Sequence, residues 1–172
     1  MNKKVCDIKI ADISDVHDIA LINVLSWQEA YKEIIPKKLL SSLSVSDLAE
    51  ACKHCLQNGA VILVMKIENK VVGFSRLCKD MPSALASGLG EINAIYLHPD
   101  VWGDGYGKEL GIASLEELKK LGFKEAVVWV ISENSRARRF YESLGFKYSG
   151  ASRPCNIIPD SGLNEVQYNK II

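Results

Sequence analysis

Trp102-Gly103-Asp104-Gly105-Tyr106-Gly107 is the stretch on which the reading of this chain turns. It follows the apolar run Ala94-Ile95-Tyr96-Leu97, closed by His98-Pro99. Glu91 to Leu97 reads as a strand, because a residue before proline is held extended and the run stops there. Gly105 to Leu121 reads as a helix: Leu110, Leu118 and Leu121 share one face, and Gly122 ends it. A glycine-rich turn that opens a helix is an anion site, since unpaired backbone N–H groups converge there and the helix dipole favours negative charge. Glycines at 103, 105 and 107 let the backbone approach a phosphate closely. Taken alone, such spacing also suits a plain turn. Two nucleotide loops are excluded. A P-loop needs Ser or Thr after Gly-Lys, and Gly107-Lys108 is followed by Glu109. A dinucleotide fingerprint needs glycine three positions after Gly105, where Lys108 stands.

Upstream of the turn, Val5 to Ile10 is a short strand-like run. Ser14 is placed to cap a helix with apolar positions at Val16, Ile19, Ile22 and Leu25. That helical region continues through Trp27 and Tyr31 and breaks at Pro36. Ser44 to Leu56 reads as a further helix. Ala60 to Ile67 and Val71 to Leu77 form a hairpin around Glu68-Asn69-Lys70. Met81 to Gly88 is rich in small residues and reads as a mobile loop. Downstream, Ala126 to Ile131 is a continuous apolar strand, a pattern that implies burial on both faces. Asn134 caps a helix with Ala137, Phe140, Tyr141 and Leu144 on one stripe, ended by Gly145. Glu165 to Ile172 is the last strand. The order β, helices, βββ, α, β, α, β predicts a mixed α/β sheet, open at its centre where the Glu91 and Ala126 strands diverge.

The chain has 172 residues, enough for one domain, 1–172, with a real core. Its 21 basic and 21 acidic residues cancel, which argues against nucleic acid as the main partner. No apolar run reaches the roughly 20 residues needed to span a bilayer. Asp7, Lys9 and Asp12 interrupt any signal-peptide core, so a cytoplasmic protein without a membrane partner is expected. Five scattered cysteines read as reduced thiols. Cys52-Lys53-His54-Cys55 lacks the second ligand pair of a zinc site, and no metal is expected.

Two motifs in order make the turn specific. Ala94 to Pro99 followed by Gly105-Tyr106-Gly107, and forty residues on Asn134-Ser135-Arg136-Ala137-Arg138-Arg139-Phe140-Tyr141-Glu142-Ser143-Leu144-Gly145-Phe146, together resemble the GNAT superfamily, the Gcn5-related N-acetyltransferases. The first matches the family's Q/R-x-x-G-x-G/A signature, the second its N-x-x-A-x-x-F-Y-x-x-x-G-F helix. Ile8 to Asp15, Ser26 to Tyr31 and Glu165 to Tyr168 extend the resemblance over nearly the whole chain. Trp102 departs from it, standing where the family has Gln or Arg, and Asp104 stands where Arg or Lys is frequent.

The resemblance implies a mostly antiparallel sheet of about seven strands, splayed at its centre and flanked by helices. It implies acetyl-coenzyme A as cofactor, a small-molecule or peptide amine as acceptor, and direct acetyl transfer between them; it also leaves room for a homodimer. Backbone groups of Ile95, Tyr96 and Leu97 are expected to pair with the pantetheine arm like an added strand, with the Leu97 N–H donating to the thioester oxygen. Trp102 through Lys108, with Asn134 and Ala137, are the expected cofactor contacts. Tyr141 corresponds to the family acid that protonates the leaving thiolate; by its spacing alone it would be core. Glu91 is the candidate base, against the alternative of a solvated strand start. Strand alternation is expected to set Glu91, Asn93, Ile95 and Leu97 on one face, with Asn93 reaching the acceptor. Trp27 and Tyr31, four apart on a helix face, line the acceptor cleft or belong to the core. The alternative function is a coenzyme A sensor that has lost transfer, which Trp102 and Asp104 favour.

Overall fold

The computed structural model describes residues 4–78, 81–155, 158 and 161–172. Lys79, Asp80 and four residues between Cys155 and Ser161 lie outside the described residues. The chain runs β1 (Cys6–Ile10), α1 (Val16–Ala30), α2 (Lys37–Ser41), α3 (Val45–Gln57), β2 (Val61–Ile67), β3 (Lys70–Leu77) and α4 (Met81–Ser87). It continues with β4 (Leu89–Leu97), α5 (Tyr106–Lys120), β5 (Glu125–Ile131), α6 (Ser135–Ser143), β6 (Lys147–Pro154) and β7 (Asn164–Ile171).

Seven strands form one open, mixed sheet in the order β1-β2-β3-β4-β5-β7-β6. Every neighbouring pair is antiparallel except β4 with β5. That parallel ladder is short: Leu89, Gly90 and Glu91 face Glu125, Ala126 and Val127. Beyond Glu91 the two strands part, as the sequence predicts.

Helices cover both faces. Leu110, Leu118, Tyr141 and Leu144 of α5 and α6 share a core with Ile92, Ala126, Val128 and Val130. On the other face, Ile19 and Ile22 of α1 and Cys52 of α3 meet Ile62, Val64, Phe74 and Ala94. A third cluster joins Trp27, Tyr31, Ile35 and Leu40 to Ile131, Cys155 and Ile158.

Four expectations are corrected. Asp12, not Ser14, makes the cap: it accepts from Ser14 N–H in a capping box with Asp15, at a short 3-10 turn that precedes α1. Met81 to Ser87 is a helix, because Ala84 has a core to bury against. Lys147–Pro154 is a strand that sequence periodicity does not announce, since nearly every residue in it is exposed. Fourth, alternation fails along β4. Leu77 pairs with Ile92 but Arg76 pairs with Ala94, so Asn93 is a bulged residue without an opposite number. Ile92 faces the α5 side before the bulge, and Ile95 and Leu97 face it after. Ala94 and Tyr96 therefore turn to the α1 side. Glu91 does not share a face with Ile95 and Leu97.

Candidate active site

The parting of β4 and β5 leaves a cavity of about 350 Å³, walled by both strand ends, by the 102–108 turn and by the first turns of α6. Its chemistry begins with the backbone of β4. The N–H of His98 donates to Val72 O on β3. Antiparallel strands alternate the direction of their backbone groups, so Leu97 and Ile95 turn theirs toward the gap. The Leu97 carbonyl is held there by Ser26 Oγ at 2.6 Å and Trp102 Nε1 at 2.8 Å. The Leu97 N–H points the same way as that carbonyl.

At the turn, Gly105 has φ 82°, a left-handed conformation that costs other residues strain. The first described intrahelical bond runs from Glu109 N–H to Gly105 O, so first-turn N–H groups such as those of Gly107 and Lys108 have no carbonyl partner four residues back within the helix. No side chain caps them. A Cβ on Gly107 would lie 3.3 Å from both Leu97 and Phe140, so only glycine lets the turn sit this close to the strand end. These features fit a pyrophosphate. Lys108 and Arg136 line the cavity, and no carboxylate is among its described lining residues.

Of the residues expected at the cofactor, Ile95, Tyr96, Leu97, Trp102, Gly103, Gly105, Gly107, Lys108, Asn134 and Ala137 all line this cavity. Two side chains do not. Asp104 is exposed and absent from the cavity's lining. The Tyr106 ring is buried in the core and its hydroxyl donates to Lys4 O at 3.0 Å. Asn134 caps α6 by accepting from Ala137 N–H at 3.0 Å.

Tyr141 brings its ring into the cavity between Phe140 and Phe146, with centroids 5.1 and 5.7 Å away. Burial, and secondarily Tyr31, hold its phenol well above the ordinary value. Tyr31 also lines the cavity, and its hydroxyl lies within reach of Tyr96 and Asn134. Burial raises both Tyr31 and Tyr96. Trp27 lies behind, 5.0 Å from the Tyr31 ring. Its Nε1 lies toward the Tyr96 hydroxyl without closing a hydrogen bond of ordinary geometry. Asn93 and Trp129 line the far end, and Glu91 stands just behind Asn93. Burial pushes the Glu91 carboxyl up, while Arg153, Asn93 and Arg76 partly oppose the shift.

Comparison with known proteins puts a family to this arrangement. A family model described as the acetyltransferase (GNAT) family matches residues 24–146. The chain belongs to the GNAT family. It is 32% identical over 127 residues to an uncharacterised N-acetyltransferase, YuaI, of Bacillus subtilis, covering 74% of this chain and 72% of that one. It is 34% identical over 79 residues to the mycothiol acetyltransferase of Kocuria rhizophila, but there the match spans 46% of this chain and 26% of the relative. Among solved structures, the PaiA N-acetyltransferase of Thermoplasma acidophilum in complex with coenzyme A superposes with a TM-score of 0.77 at 21% identity, covering 98% of this chain and 99% of the other. The YncA protein of Salmonella typhimurium, solved with its cofactor acetyl-CoA, gives 0.73 at 19% identity, covering 97% and 94%. Likeness at this identity shows the GNAT fold.

Of the lining residues that sequence reasoning did not single out, Val101, Trp129 and Phe140 among them, Arg136 is the charged one. The signal was present: it lies inside the Asn134 motif, two residues past the cap.

Proposed function

We propose that this protein transfers an acetyl group from acetyl-coenzyme A to a primary amine by direct attack in a ternary complex. The observation that carries the reading is the cavity. It joins an uncapped helix N-terminus and two cations at one end to a phenol and a nearby carboxyl further in, with no carboxylate among its described lining residues. GNAT relatives bearing the name N-acetyltransferase, and neighbours solved with coenzyme A or acetyl-CoA, support it.

Acetyl-coenzyme A, when bound, supplies an activated thioester carbonyl. The first-turn N–H groups of Gly107 and Lys108 cradle its pyrophosphate. Backbone groups of Ile95 and Leu97 hold the pantetheine arm as an added strand. The Leu97 N–H donates to the carbonyl oxygen, where negative charge develops. Ser26 and Trp102 fix the peptide that follows it. Glu91 takes one proton from the incoming ammonium through water near Asn93, and the freed amine attacks the thioester carbon. As the C–N bond forms and the C–S bond breaks, Tyr141 gives its proton to the departing sulfur, and the proton left on the new amide nitrogen restores the phenol. Burial keeps that phenol protonated and available at neutral pH; because a thiol is the stronger acid, loss of the nitrogen's proton draws the donation forward.

Tyr141→Phe is the test. It should slow acetylation of a reactive amine by a factor of about 10²–10⁴, the usual contribution of a positioned acid, with coenzyme A affinity held within about twofold in titration calorimetry. Unchanged turnover would remove Tyr141 from the chemistry. Wild-type protein that binds acetyl-coenzyme A but releases no free thiol across a broad amine panel would establish the sensor function instead.

A further inference from the structure

The turn lacks the Gln or Arg that GNAT signatures place at its first position, and Trp102 stands there. This indole is not a passive replacement. Its face carries the guanidinium of Arg136, whose central carbon lies 3.7 Å from the ring centroid. Its edge donates from Nε1 to Leu97 O at 2.8 Å. Trp102 thus ties the end of β4 to the second residue of α6 across the cavity mouth. Arg136 is exposed and makes no ion pair among the described residues; partial desolvation lowers its pKa, and Glu29 only partly opposes that. A guanidinium stacked on an indole without a carboxylate partner, lining the same cavity as Gly103, Gly105 and Lys108, is placed to receive an anion.

We propose that Arg136, laid flat on Trp102, supplies from α6 the cation that the turn lacks, and donates to the pyrophosphate of coenzyme A. Trp102 is a positioning residue in this arrangement. Cation–π contact fixes the guanidinium plane, so less side-chain freedom is lost when its fork closes on phosphate oxygens. The role of the missing signature side chain is then divided between two residues, a platform on the turn and a charge on the opposite helix. The inference rests on the acetyl-coenzyme A reading above.

Binding calorimetry with three ligands tests it apart from turnover. Coenzyme A carries the pyrophosphate and a 3′-phosphate, dephospho-coenzyme A keeps only the pyrophosphate, and pantetheine has neither. Arg136→Ala should weaken coenzyme A and dephospho-coenzyme A alike, by about tenfold or more, as expected for losing a charge-assisted contact. Pantetheine affinity should not change. Trp102→Leu should weaken coenzyme A and dephospho-coenzyme A beyond whatever pantetheine loses with the bond to Leu97 O, and Trp102→Phe, which lacks that bond but keeps a stacking face, should recover most of this excess. Several results would overturn the proposal: no loss in Arg136→Ala, a loss confined to coenzyme A, equal losses for all three ligands, or Trp102→Leu binding like wild type. Wild type that binds no form of the coenzyme would instead defeat the underlying reading.

Discussion

Glu91 stands at the last position of β4 that pairs with β5, half-buried, with its carboxyl raised by desolvation. A raised carboxyl is protonated over a wider range, and a base must be unprotonated. Activity should therefore fall as pH drops through a value above the ordinary glutamate pKa of about 4.3. Glu91→Gln should remove that acid limb and slow transfer. The same shift has a stability sign. A carboxylate whose folded pKa exceeds its unfolded one destabilises the fold at neutral pH. Glu91→Gln should therefore hold or raise the melting temperature near pH 7, while turnover falls. A joint loss of both would make Glu91 a structural residue only. Asp104 gives the opposite expectation. It is exposed and absent from the cavity's lining, so its charge acts on a bound anion largely through solvent and salt, which screen it. Asp104→Lys should change coenzyme A affinity by no more than about threefold, read by calorimetry. The identities of the turn residues were legible in the sequence. Which of their side chains face the ligand was not, because the sharp backbone of a glycine turn decides orientation and leaves no periodicity to read.

At the scale of elements, the sequence was most informative where a face is buried. The α5 and α6 stripes and the apolar run of β5 follow directly from burial of Leu110, Leu118, Val128 and Tyr141. It was silent for β6, whose pairing with β7 rests on backbone hydrogen bonds while most of its side chains meet solvent. It misread α4, a small-residue helix that buries Ala84 and packs Met81 against the core. The caps are testable directly. Asn134 both accepts from Ala137 N–H and stands within reach of Tyr31. Asn134→Ala should cost about 1 kcal/mol of stability, typical of a lost N-cap, as measured by urea unfolding. It should also loosen the Tyr31 hydroxyl, detectable as a change in acceptor KM beyond any change in coenzyme affinity.

Across the whole molecule, the sheet is fastened on either side of its opening by two antiparallel blocks, β1 to β4 and β5 to β7. The short parallel ladder joins them, and Gly90 sits at its middle. A Cβ there would lie 2.9 Å from Leu118 and 3.0 Å from Phe123, so α5 and the loop after it press onto the one stretch that holds the blocks together. Gly90→Ala should destabilise the fold by about 1–3 kcal/mol, the usual cost of overpacking. Thermal unfolding followed by circular dichroism checks this, and an unchanged midpoint would mean the blocks adjust freely at this joint.

The bulge at Asn93 gives β4 a division of labour. One inserted residue shifts the parity of everything beyond it, so a single strand behaves as two half-strands laid end to end with their sides exchanged. The lower half is committed to cohesion, since Leu89 to Glu91 form the joint with β5. The upper half is released from that duty and presents its backbone to whatever enters the gap. Substitutions on the two halves should therefore be tolerated by different rules, the lower limited by folding and the upper by ligand.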